Sequence, residues 1–169
     1  MAIGPMKEVV ITKEEAVFRL DKNGRWHNRY GPFEHKKIID HFHACIRKDA
    51  EGFFLSQELE GGREKVYFPY EDTALFVFDV IEEPEGIFLI LNTKKRMKLM
   101  PKKLFIENDS LYMSFGEDRI KFAESALFRI SDRLVNDGDR YWIRTGSRTY
   151  KIADKPPAPK HSVMGSGTL

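Results

Sequence analysis

The sequence predicts an α+β protein built from two related halves, and three observations carry that expectation. Short runs rich in β-branched and aromatic residues recur along the chain, separated by Gly, Asn, Asp and Pro. Two stretches, around Ile38 and around Ile130, place apolar residues at helical spacing. The order of hairpin, amphipathic helix, acidic Gly-containing turn and aromatic strand occurs twice, once from Phe18 to Phe68 and once from Phe105 to Ile152, which predicts a duplicated hairpin-helix-hairpin unit.

The chain has 169 residues, 41% of them apolar, enough to bury a core without outside help. Lys and Arg total 28 against 26 for Asp and Glu, so no global field draws the chain to nucleic acid or to an anionic membrane. With Cys45 alone an intrachain disulfide framework is excluded, and a cytoplasmic location is expected. No apolar run reaches the roughly 18 residues of a membrane span, and the leader lacks the apolar region of a signal peptide, so no membrane association is expected.

Taken in order, Val9-Val10-Ile11 suits an edge strand. Ala16 to Leu20 and Arg25 to Asn28 flank Asp21-Lys22-Asn23-Gly24, whose Asn-Gly pair tolerates positive φ and predicts a hairpin. Gly31-Pro32 then opens a helix, where a proline is tolerated in the first turn. Ile38, Ile39, Phe42, Cys45 and Ile46 form its apolar face, with His43 pointing away. Phe53 to Leu55 and Lys65 to Phe68 make a hairpin joined through Gly61-Gly62. The most apolar stretch follows, a central hairpin from Ala74 to Ile81 and from Ile87 to Leu91 across Glu82-Glu83-Pro84-Glu85-Gly86.

Past Leu91, short strands are expected at Met97 to Met100, Leu104 to Ile106 and Leu111 to Phe115. Glu117 and Asp118 stand where acids favour a helix start, ahead of the face Ala123, Ala126, Leu127, Ile130 and Leu134. Asn136-Asp137-Gly138 is expected to end that helix. Tyr141 to Ile143 and Thr149 to Ile152 form the last hairpin, turning at Gly146. The domain reading is residues 1–91 for the N-terminal half including the central hairpin, 92–152 for the C-terminal half, and 153–169 for a disordered tail.

Few residues suggest chemistry. His41 and Cys45 share the i, i+4 spacing of a metal site, but no second Cys/His cluster completes a coordination sphere, so neither a metal nor a cofactor is expected. Glu71 and Asp72 stand between Pro69 and a strand that reads as buried, where a carboxylate of raised pKa could act as acid or base. Successive side chains of an extended segment face opposite ways, which prevents the two from acting as a facing pair. A structural acceptor role is the stronger reading for them. The basic runs Lys94-Lys95-Arg96-Met97-Lys98 and Lys102-Lys103, with Arg144 and Arg148, suit an anion-binding edge or, as the commoner explanation, charged sheet edges that resist aggregation.

Four segments in sequence carry a resemblance: Asp21 to Trp26 with Gly31-Pro32, Asp49 to Leu55, Tyr70-Glu71-Asp72-Thr73-Ala74, and Leu91-Asn92-Thr93. In that order they resemble the bacterial DUF1285 family of uncharacterised proteins over Phe18 to Ile152. Leu75, where the family usually has proline, and Thr145-Gly146-Ser147, in place of a longer Gly/Ser pattern, depart from it. The resemblance implies an α+β duplication with a pleckstrin-homology-like C-terminal half, a cleft between halves that binds a protein or a nucleic acid, and a link to signal transduction. The expected function is therefore a non-enzymatic binding or regulatory module. Trp26, Glu71, Asp72 and Asn92 are its candidate ligand-binding residues, with Arg129 and Arg133 as charge partners from the second helix. The alternative is a small-molecule enzyme using Glu71 or Asp72.

Overall fold

The computed structural model describes residues 7–157, and among them β-strands predominate over two short α-helices. The chain divides into two compact units. Among the described residues, one comprises residues 7–74 together with Asn92–Lys94, and the other Leu75–Leu91 together with residues 95–157. None of the described helices is long and apolar enough to cross a membrane.

The first unit holds β1 (Lys7–Ile11), β2 (Phe18–Leu20), β3 (Trp26–Asn28), β4 (Gly31–Pro32), α1 (Lys36–Ala44), β5 (Ile46–Asp49), β6 (Gly52–Leu59) and β7 (Gly62–Tyr67). β2, β3 and β4 form an antiparallel meander, and β5, β6 and β7 a second one, to whose β7 edge β1 adds in parallel. Gly62 is required there, since a Cβ at that position would collide with the Lys7 carbonyl of β1. The core is aromatic. Trp26 is 1% exposed and its ring centroid lies 5.8 Å from Phe18, 5.4 Å from Phe42 and 5.0 Å from Phe68, each edge to face.

The second unit holds β8 (Leu75–Glu83), β9 (Gly86–Leu91), β10 (Arg96–Lys98), β11 (Leu104–Glu107), β12 (Ser110–Phe115), β13 (Asp118–Phe122), α2 (Glu124–Ile130), β14 (Leu134–Asn136), β15 (Tyr141–Thr145) and β16 (Arg148–Lys151). Its six-stranded sheet runs β10-β9-β8-β13-β12-β11, with β8 and β13 parallel and the other pairs antiparallel. β14, β15 and β16 form a three-stranded meander. Phe76, Leu89, Phe105, Met113, Ile120, Ile130 and Ile143 supply its buried core.

The hairpins expected around Asn23-Gly24, Gly61-Gly62, the central turn and Gly146 are all present, as is the edge strand at Val9 to Ile11. Both helices differ from expectation. Gly31 and Pro32 do not open a helix. They form the edge strand β4, where the missing proline N–H deprives no neighbour of a partner and Gly31, at φ +128°, adopts backbone that a side chain would strain. His43 is the buried residue of α1, whereas Ile38 is largely exposed and Ile46 already belongs to β5. Glu117 sits with Gly116 in the tight turn between β12 and β13, and Asp118 lies in a strand, so neither starts the second helix.

Leu134 is likewise in a strand, and Asn136-Asp137-Gly138 turns a hairpin instead of ending a helix. The side chains explain why. Asn136 Oδ1 accepts the Gly138 amide at 2.8 Å, and Asp137 Oδ1 accepts those of Asp139 and Arg140 at 3.1 and 2.9 Å, which folds the backbone back on itself. The domain boundary also moves. The central hairpin β8–β9 groups with the C-terminal residues because Leu75, Phe76 and Val77 pair with Ile120, Lys121 and Phe122 of β13. Of the expected tail, Ala153 bridges Phe105 and its carbonyl accepts the Ile106 amide, so order continues past residue 152; residues 158–169 lie outside the described part.

Candidate functional site

An open apolar surface of the first unit is organised by the turn between β3 and β4. Asn28 pairs with Gly31 across a two-residue tip, and Asn28 Oδ1 accepts the Tyr30 amide at 2.8 Å, fixing the tip backbone with an Asx turn. Arg29 and Tyr30 are thereby held outward, with the Arg29 guanidinium 5.2 Å from the Tyr30 ring centroid and the tyrosine 84% exposed.

Tyr30 stands between two concavities that share it and Asn28. The first, of about 630 Å³, is walled by Ala16, Val17, Phe18, Pro69 and the β3 backbone turn, with Arg19 and His27 at its polar side. The second, of about 480 Å³, runs under Pro32, Phe33, Ile38 and Phe42 of β4 and α1, with Glu34 and His35 at its edge. Val17 is 77% exposed and Ile38 46%, so this face displays apolar side chains that no neighbouring element covers. The chain around this face is rich in charge. Arg19, Lys22, Arg25, Arg29, Lys36 and Lys37 stand along the segment that also contains Asp21, Glu34 and Asp40.

Two of those three acids are committed locally. Asp21 accepts the Asn23 and Arg25 amides at 2.8 and 2.9 Å and His27 Nε2 at 2.7 Å. Burial would raise its pKa, but the Arg25 amide, His27 and the Asn23 amide outweigh that and hold the carboxyl below its usual range. Asp40 is held low chiefly by the Lys36 ammonium, which donates to it at 2.7 Å.

Behind the surface lies a polar contact in the core. Asn92 and His43 are each 1% exposed, and Asn92 Nδ2 donates to His43 Nδ1 at 3.1 Å and to the Ala74 carbonyl at 3.0 Å. Two acceptors facing one nitrogen fix the amide orientation, and the neutral imidazole then carries its proton on Nε2. Burial drives the His43 pKa from its ordinary 6.5 to about 4; Asp40 opposes this, Lys94 adds to it, and the Gly24 backbone opposes it.

Of the residues expected to bind ligand, Trp26 and Asn92 are therefore core residues with no surface to offer. Their sequence signal was real but structural: an aromatic after a tight turn and an amide after a strand were both required inside. Glu71 is exposed and its carboxylate accepts Arg19 Nη1 at 2.6 Å, the acceptor role favoured over acid-base chemistry. Asp72 beside it is half-buried. Arg129 and Arg133 lie in the second unit and meet acids of β8, Arg129 at 3.7 Å from Asp79 and Arg133 in a close pair with Glu82. His41 and Cys45 come within 3.5 Å, but no group of three potential metal ligands exists among the described residues.

Val17, Tyr30 and Ile38 were missed as site residues. Tyr30 carried the available signal, an aromatic at the tip between Asn28 and Gly31 where burial is impossible. Val17 and Ile38 look like core residues by hydropathy, and only the fold leaves them uncovered.

No family model matches the chain, and no curated protein matches it. Among solved structures, the chain is similar to a DUF1285 family protein from Silicibacter pomeroyi DSS-3, with a TM-score of 0.58 at 10% identity over 89% of this chain and 84% of that one. A DUF1285 family protein from Shewanella baltica OS155 is similar over 69% of this chain and 91% of that one, at 15% identity and a TM-score of 0.48. At such identities the likeness is one of fold, and the fold is DUF1285-like.

Proposed function

From that DUF1285-like fold, we propose that the protein is a non-enzymatic binding module of regulatory type. Its recognition surface is the face of the first unit centred on Tyr30, and its partner is a protein. The observation that carries this reading is the pair of adjoining concavities flanked by exposed Val17, Tyr30 and Ile38, since a contiguous uncovered apolar face marks interaction sites on soluble domains. The enzymatic alternative, acid-base chemistry by Glu71 or Asp72, finds less support at Glu71, which is solvated and ion-paired with Arg19.

Relatedness of the two halves belongs to the same reading. Each contains three antiparallel strands, a helix and three more antiparallel strands in that order. Each second meander turns at an aspartate that accepts an amide two residues on and an aromatic side-chain donor, Tyr67 for Asp49 and Trp142 for Asp137. A cytoplasmic location accords with the single cysteine. A role in signal transduction and a pleckstrin-homology-like C-terminal half rest on the family resemblance.

Selection of a random dodecapeptide display library on the full chain tests the surface. Peptides enriched on the wild type should be lost on Tyr30→Ser, an exposed substitution that leaves the unfolding midpoint unchanged. Enrichment that is indifferent to Tyr30→Ser would refute the assignment.

A further inference from the structure

We infer that β1 is a self-association edge, along which two copies of the chain pair antiparallel through Lys7–Ile11 and join their four-stranded sheets into one. β1 ends the sheet order β1-β7-β6-β5, and no described strand pairs with its far side. None of its residues lines the two concavities at Tyr30. Which backbone groups the edge offers follows from the bonds it already makes. The Lys7 amide donates to the Gly61 carbonyl at 3.3 Å, and the Lys7 carbonyl is the group that a Cβ on Gly62 would strike, so both polar groups of Lys7 face β7. Backbone direction alternates along a strand, so Val9 and Ile11 face β7 as well, while the N–H and C=O of Glu8 and Val10 point outward. Four such groups in a row call for an extended backbone as their partner, not for a side chain or a small ligand.

The other sheet ends are defended. β5 carries Arg47 and Lys48, β10 carries Arg96 and Lys98, and β11 is bridged by Ala153. β1 has charge only at its first two residues, and Val9 and Val10 at its centre are 46% and 50% exposed.

A second copy fits this edge in one register. With Val9 opposite Val9 of the second copy, Glu8 of each chain faces Val10 of the other, so all four outward groups on each side meet partners in four hydrogen bonds. Lys7 then faces Ile11 and no like charges are opposed. Of the neighbouring symmetric registers, one sets Glu8 against Glu8 and the other carries Glu8 past the end of the strand. A pairing of five residues a side is smaller than the roughly 1,200 Å² of a standard stable interface, so the dimer is reversible and concentration-dependent.

Disulfide trapping in the full chain tests the register. In a Cys45→Ser background, Val9→Cys brings two thiols into a non-hydrogen-bonded pair with Cα atoms about 4.5 Å apart, within disulfide reach, whereas Val10→Cys sets them on a diagonal of about 7–8 Å. Oxidised glutathione should therefore link the Val9→Cys chains at least about fivefold more than the Val10→Cys chains, which are as exposed. Sedimentation supplies the second arm. The weight-average mass of the wild type should rise with concentration, and Val10→Pro, which removes an outward amide and no bond to β7, should raise the dissociation constant about tenfold or more. A wild type that stays monomeric at millimolar concentration, equal cross-linking of the two cysteine variants, or a dimer indifferent to Val10→Pro would each overturn the inference. In the first case an extended segment of another protein that binds the wild type and not Val10→Pro would take the second copy's place.

Discussion

Acidification from pH 7.5 to pH 5 should remove a defined share of stability through His43. The imidazole is buried, accepts a hydrogen bond from Asn92 through Nδ1, and has its pKa driven from 6.5 to about 4. A folded-state pKa below the unfolded one means that the unfolded chain binds the proton more readily, so stability is complete above pH 6.5 and declines as pH falls through the window toward 4. A shift of that size corresponds to roughly 3 kcal/mol over the whole window, of which about 2 kcal/mol is lost by pH 5. The chemical reason is local: protonating Nδ1 turns two donors toward each other and places a charge in the core beside Trp26 and Asn92. Urea unfolding at pH 7.5 and pH 5 measures the loss, and His43→Gln, which keeps an acceptor for Asn92 but cannot titrate, supplies the control. The variant should begin less stable and lose about 2 kcal/mol less than the wild type between the two pH values. Parallel losses in both proteins would refute the argument, because the pH dependence would then belong to other groups.

Three further outcomes follow from the side-chain geometry. Trp26→Ala should cost about 3–5 kcal/mol by emptying the centre of the aromatic cluster, measured by the same urea titration, whereas a loss below about 1 kcal/mol would mean that the cluster closes over the gap. Glu71→Gln should change stability by no more than about 1 kcal/mol, as expected for a solvated pair with Arg19, and a larger loss by thermal melting would restore Glu71 to a buried structural role. Asp49, whose pKa is drawn down to about 2 by Lys65, Tyr67 and the Glu51 amide against some burial, stabilises the fold above its ordinary 3.8 and ceases to do so as pH falls toward 2. Asp49→Asn should therefore lower the melting temperature at pH 7 and flatten its decline below pH 4; an unchanged decline would show that other carboxyls govern acid unfolding.

Much of the architecture was legible from local chemistry. Asn23-Gly24, Gly61-Gly62 and Gly146 turn hairpins because Gly24, Gly61 and Gly146 take positive φ, and the β-branched and aromatic runs on either side pair across them. The helices were less legible. Gly31-Pro32 satisfies the rule for a helix start and the rule for a sheet edge equally well, and only the neighbouring strand β3 decides between them. Asn136-Asp137-Gly138 likewise fits a helix end or a hairpin turn, and pairing of β14 with β15 settles it.

The candidate site divides along the same line. Sequence alone established that Trp26, Asn92 and Glu71 would be distinctive, since each is costly or unusual where it stands. It could not say whether the reason was packing or recognition, because both place polar and aromatic residues beside apolar ones. Tertiary structure put Trp26, His43 and Asn92 inside, Trp26 among aromatic rings and Asn92 hydrogen-bonded to His43 and the Ala74 carbonyl, and set Glu71 on the surface with Arg19. Exposure is a property of what else folds nearby, so only the assembled first unit revealed that Val17 and Ile38 remain uncovered.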